Sequence, residues 1–196
     1  MARWSCCVAT WSLLAAGCPG SVDVDLFDPG TPVLRYDFTG FGTEIRDSIG
    51  SAHAHAVGGA LLAGTGGLRL DGAGQCIELP SPLVSRFHSA TIVAWLEWFG
   101  GACWQRVFDF GSSDGAAGWP NNAPMSLFMT PSACSDGSFF AKGQAGTPNF
   151  MLRSGSPLPQ DRLVQVALSV DGERRRAALF VDGAEVASAT VPFALN

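Results

Sequence analysis

The sequence predicts an all-β fold, a two-sheet antiparallel sandwich of the jelly-roll type. From residue 33 onward, short alternating apolar segments follow one another, bounded by clusters of Gly, Pro, Asn and Asp. Late in the chain, Asp171-Gly172 and Asp182-Gly183 separate such segments, and both residue types tolerate the positive φ of tight hairpins. No stretch of about twelve residues or more carries the apolar stripe of a helix.

Composition agrees. At 196 residues the chain can bury the core of one domain. Only 15% of residues are charged, and the 24 Gly and 12 Pro follow no period, which suits a turn-rich globular domain better than a disordered chain. A net charge of −5 with no basic groove argues against a nucleic-acid partner. The one basic cluster, Glu173-Arg174-Arg175-Arg176, reads as a solvated hairpin edge, where charge discourages strand addition.

In chain order, residues 1–17 read as an export signal. Arg3 is followed by an apolar run from Trp4 to Ala16, too short to span a bilayer comfortably. Leu14-Ala15-Ala16-Gly17-Cys18 resembles the lipobox of bacterial lipoproteins. That resemblance implies cleavage after Gly17, a lipid on Cys18 and anchoring at the outer membrane or cell surface. An ordinary secretory signal cut nearby is the alternative, and either one exports the mature chain. Residues 18–32 then form the lipidated cysteine and a short tether, in which Asp23, Asp25 and Asp28 read as an acidic linker.

Residues 33–196 form the domain. Expected strands are Val33–Phe38, Gly67–Leu70, Gln75–Leu79, Ala90–Trp98, Val107–Phe110, Ser126–Met129, Leu163–Val170, Ala177–Val181 and Glu185–Val191. Asp109-Phe110-Gly111 matches a kinase magnesium triplet, but the chain has one lysine, Lys142, placed after it, and no His-Arg-Asp. It reads instead as a strand entering a glycine turn. Pairing Phe110 with Leu127 and Phe108 with Met129 sets apolar against apolar. Carried outward, that register brings Cys103 opposite Cys134, for a disulfide or two buried thiols. Cys76 is left over as a free thiol.

The order of segments resembles the laminin-G-like, concanavalin-A-like jelly rolls of secreted bacterial proteins. The resemblance rests on Leu34-Arg35-Tyr36-Asp37-Phe38, Asp47-Ser48-Ile49-Gly50, Leu68-Arg69-Leu70-Asp71-Gly72, Ile77-Glu78-Leu79-Pro80 and Ala90-Thr91-Ile92-Val93-Ala94-Trp95. Later parts are Arg106-Val107-Phe108-Asp109-Phe110-Gly111, Leu127-Phe128-Met129-Thr130-Pro131, Val166-Ala167-Leu168 and Leu179-Phe180-Val181-Asp182-Gly183. Gln75-Cys76 and Leu163–Ala167 depart from the family pattern. Relatives continue beyond the position of Asn196 with a closing strand near the first, so the resemblance implies a sandwich incomplete at its C-terminus, with Val33–Phe38 short of a neighbour. It also implies calcium, for which Asp37, Asp71, Asp114 and Asp136 are the turn or strand-end oxygens.

The fold hosts enzymes, lectins and adhesion modules, so function rests on side chains. A retaining glycosidase needs two carboxylates about 5 Å apart; Glu78 and Glu97 read as outward positions, and His53-Ala54-His55 as a loop without a third metal ligand. Sugars need flat apolar faces beside amides. Trp119, Asn121, Asn122 and Trp98 are the ligand candidates, Trp95 reads as core, and Trp104 as either. The expectation is a membrane-anchored extracytoplasmic module that binds an extracellular glycan and is not an enzyme. A glycan hydrolase, or a protein-adhesion or structural domain without sugar binding, is the alternative.

Overall fold

The computed structural model describes residues 9–15, 31–81, 83–84, 87–111, 125–146 and 148–193, the side chains from Pro32 onward. Among these residues the regular structure is strand and no helix forms. The strands are β1 (Ala9–Ala15), β2 (Thr31–Tyr36), β3 (Phe41–Gly42), β4 (Glu44–Ile45), β5 (Ala54–Val57), β6 (Leu62–Ala63), β7 (Cys76–Glu78) and β8 (Ala90–Glu97). They continue with β9 (Phe108–Gly111), β10 (Met125–Thr130), β11 (Phe140–Ala145), β12 (Asn149–Arg153), β13 (Leu163–Asp171), β14 (Arg176–Val181) and β15 (Ala184–Thr190).

Two antiparallel sheets pack as a sandwich. The larger has the order β15-β14-β13-β8-β1-β2 and the smaller β12-β11-β10-β9. Period-2 alternation decides which side chains meet between them. Ile92, Ala94 and Leu96 of β8, Val164, Val166 and Leu168 of β13, and Leu179 of β14 face Phe108, Leu127, Met129, Ala141, Phe150 and Leu152 of the smaller sheet in one buried cluster. Gly143 lies on this inner side because a Cβ there would come 2.4 Å from the Phe150 ring and 3.1 Å from Leu127.

A second core lies under the three-stranded sheet β4-β5-β7 and holds Tyr36, Phe38, Ile45, Ala54, Leu62, Leu68 and Ile77. Strand β7 divides the two cores: Cys76 belongs to the first as a buried free thiol, and Ile77 to the second. Asp47 ties β2 to this region. Its carboxylate accepts the backbone N–H of Arg35 and Ile49, each at 3.1 Å, and of Ala52 at 3.3 Å. Burial raises its pKa, but those N–H donors and that of Gly50 outweigh burial and hold it below the usual carboxylate range.

Most expected strands form within a residue or two of their expected limits, and both apolar pairs expected across β9 and β10 occur: Phe110 with Leu127, Phe108 with Met129. Asp182 and Gly183 take φ of 49° and 79°, the tight turn that joins β14 to β15. The β13–β14 turn is longer. There Arg175 holds the positive φ, and Gly172 is needed because a Cβ would meet the His88 carbonyl at 2.4 Å.

Four expectations are corrected. Leu68 and Leu70 are buried but join no ladder, so their alternation marks burial alone. His55 is on a strand, opposite Glu44 and Glu78, because Ala54 and Ala56 point into the second core. Trp95 lies outside the sandwich on the far face of β8, packed with Val93, Ala167 and Phe180. Val33–Phe38 does have a neighbour, because part of the run read as the export signal supplies β1, antiparallel to β2 and β8 alike. Cys18 and most of the tether lie outside the described residues.

Candidate functional site

The smaller sheet turns its other side outward. Register places its side chains in rows: Asp109–Phe128–Lys142–Met151 across all four strands, then Thr130–Phe140–Arg153, and Ser126–Gln144–Asn149. Rings, amides and charges thus alternate on one face, drawn from segments far apart in sequence.

The segment entering β9 lies over this face. Cys103 and Cys134 are bonded, with Cα atoms 5.0 Å apart, as the outward extension of the register suggested. Trp104 follows with φ of 64°, an uncommon backbone state for a bulky residue, held by its N–H to Ser132 O at 2.9 Å. Its half-buried indole makes edge contacts with Phe128 and Phe140, at centroid distances of 6.3 and 5.8 Å.

Arg106, only 8% exposed, is caged beside it. Its guanidinium carbon lies 4.2 Å from the Phe128 ring centre and 5.6 Å from that of Trp104. Its N–H groups donate to Asp109 Oδ2 at 3.0 Å and Trp104 O at 2.8 Å. Burial pushes the Asp109 carboxyl above its ordinary pKa, and the Arg106 charge offsets only part of that. At the other end, Arg153 stacks on Phe140 at 4.7 Å and donates to Asp136 Oδ2 at 2.9 Å. Half-buried Lys142, the one lysine of the chain, sits between the two arginine pairs and makes no ion pair among the described residues.

Of the ligand candidates, Trp119, Asn121 and Asn122 lie outside the described residues, in the segment joining β9 to β10. Trp98 is corrected. It is 3% exposed, its N–H donates to Gln105 Oε1 at 2.8 Å, and its ring fills the main core, so it offers no face to a ligand. Trp104, balanced between core and surface in the sequence, is left half-exposed over this face by the fold. Its neighbour Cys103 was the available signal.

Among the described residues, Asp37, Asp71 and Asp136, expected to hold calcium, are not grouped into a metal site. Asp37 closes a turn through Thr39. Asp71 closes another by accepting the N–H of Ala73 and Gln75. Asp136 is held below its usual pKa range by the Ser138 N–H and by Arg153, whose guanidinium stands where a cation would have to bind. Asp114 lies outside the described residues. Among those residues no three His, Cys, Asp or Glu side chains are grouped to hold a metal. Glu78 and Glu97 lie on different sheets.

No curated protein and no solved structure matches the chain. A laminin-G-type family model, described as the concanavalin A-like lectin/glucanases superfamily, matches residues 71–196, from the turn before β7 to the end of the sequence. With the antiparallel sandwich already in view, that match is decisive: the chain belongs to the concanavalin A-like lectin/glucanase superfamily.

Proposed function

We propose that this protein is an exported, membrane-anchored binding module that recognises carbohydrate on the outward face of β9–β12. The carrying observation is Trp104: a disulfide and a left-handed backbone hold its indole, half-exposed, against Phe128 and Phe140, on the sheet face whose rows also carry Lys142, Gln144, Asn149 and Arg153. Sugar CH faces stack on such rings while hydroxyls bond to nearby donors and acceptors. The superfamily's lectins make the reading compatible with the fold.

The test is a glycan array probed with the full chain, with Trp104→Ala, and with Leu163→Ser as a control on the other sheet. Selective binding that W104A abolishes and L163S leaves intact bears the proposal out. A blank from protein shown folded by circular dichroism sinks it and moves the role to protein adhesion or scaffolding. Release of reducing sugar from a bound polysaccharide would replace binding with hydrolysis.

A further inference from the structure

We infer that the ligand of the β9–β12 face is an acidic glycan, and that Lys142 binds its anionic group, a uronate carboxylate or a sulfate ester. The inference rests on the carbohydrate reading above and adds to it the charge of the ligand.

The observation behind it is a cation that the fold does not neutralise. Lys142 lies in the middle of β11 on the outward side, since Ala141 and Gly143 beside it face the core. Its cross-strand partners are Phe128 and Met151, and along its own strand the same face carries Phe140 and Gln144. Its diagonal neighbours, about 7–8 Å away, are Ser126 and Thr130 on β10 and Asn149 and Arg153 on β12. None of these is a carboxylate. Asp109, in the same row, stands two strand spacings or about 9.6 Å off and is engaged by Arg106. Among the described residues Lys142 makes no ion pair and no hydrogen bond.

The two arginines of the face are the contrast. Each guanidinium lies over a phenylalanine ring and bonds to an aspartate, Arg106 to Asp109 and Arg153 to Asp136. Those pairs cancel and Lys142 does not, in a chain whose net charge is −5. Attraction for an anion is therefore local to this face and not a property of the whole surface. A half-buried ammonium has given up part of its hydration, which a bound carboxylate or sulfate replaces with charge-assisted hydrogen bonds. The hydroxyls of a neutral sugar leave that charge unbalanced. The anion's remaining oxygens need further donors, and the amides of Gln144 and exposed Asn149 stand at neighbouring positions.

The experiment is an array that sets each acidic glycan beside its neutral counterpart: oligogalacturonate with its methyl ester, and a sulfated galactan oligosaccharide with its desulfated form. It is probed with the full chain, with Lys142→Met and with Lys142→Arg, each shown folded by circular dichroism. Expected is at least about tenfold tighter binding of one acidic form over its neutral counterpart, lost in about 1 M salt, where the Debye length is about 3 Å. Which pair shows it tells carboxylate from sulfate. K142M should bring the ratio of acidic to neutral affinity close to one, and K142R should keep most of it. Equal binding of acidic and neutral forms, or a ratio that K142M leaves unchanged, overturns the anion site while the carbohydrate reading stands. A blank from the folded chain on every spot sinks both.

Discussion

Replacing Asp47 tests how the first half of the domain is held. The side chain is 4% exposed and accepts backbone N–H groups from Arg35, Ile49, Gly50 and Ala52. A charged acceptor is worth about 1.5–3 kcal/mol per hydrogen bond, but Ile49 and Gly50 are exposed and can turn to water. The bonds from Arg35, Ile49 and Ala52 are only partly buried, so water replaces part of each and Asp47→Ala is expected to cost about 2–4 kcal/mol. For a domain of this size that lowers Tm by roughly 5–15 °C. Asp47→Asn, which keeps one acceptor oxygen, should cost about half. The folded pKa is depressed below the unfolded value of about 3.9, so the carboxylate's stabilisation is present above that pH and lost as pH falls through the folded pKa. The gap between wild type and D47N, from urea titrations at pH 7 and pH 3, should therefore shrink at the lower pH. An unchanged Tm in D47A, or an equal gap at both pH values, would refute this account.

Arg106→Ala leaves the Asp109 carboxylate buried and unpaired, at a cost of about 3–5 kcal/mol at pH 7. The folded pKa of Asp109 is already raised, so its contribution to stability is fullest below the unfolded pKa and lost as pH rises; denaturation at pH 4.5 should show R106A partly recovered. Cys103→Ser opens a loop with a sequence separation of 31, worth about 3–4 kcal/mol by loop closure, and should weaken any ligand binding through Trp104 alongside the fall in Tm. Gly143→Ala drives a methyl into the Phe150 ring for about 1–3 kcal/mol, and the double variant G143A/F150L should recover part of it in the same melt.

The sequence by itself determined the strands whose alternation and turns agree. β8, β13 and β14 carry β-branched or apolar residues at every second position, and Asp182-Gly183 favours a tight turn, so local chemistry suffices. The cross-strand match of Phe108 and Phe110 with Met129 and Leu127 was legible too, and with it the Cys103–Cys134 bond. Strands β11 and β12 were not. Phe-Ala-Lys-Gly-Gln-Ala has a glycine on its core face, and its apolar period appears only against Phe150. The candidate face shares that difficulty, since Trp104, Phe128, Lys142 and Arg153 meet only through three ladders and a disulfide. Tertiary structure alone also decided the place of Ala9–Ala15. An uncharged apolar run satisfies an export signal and a strand equally well, and only the backbone edges of β2 and β8 show where it pairs in the folded chain.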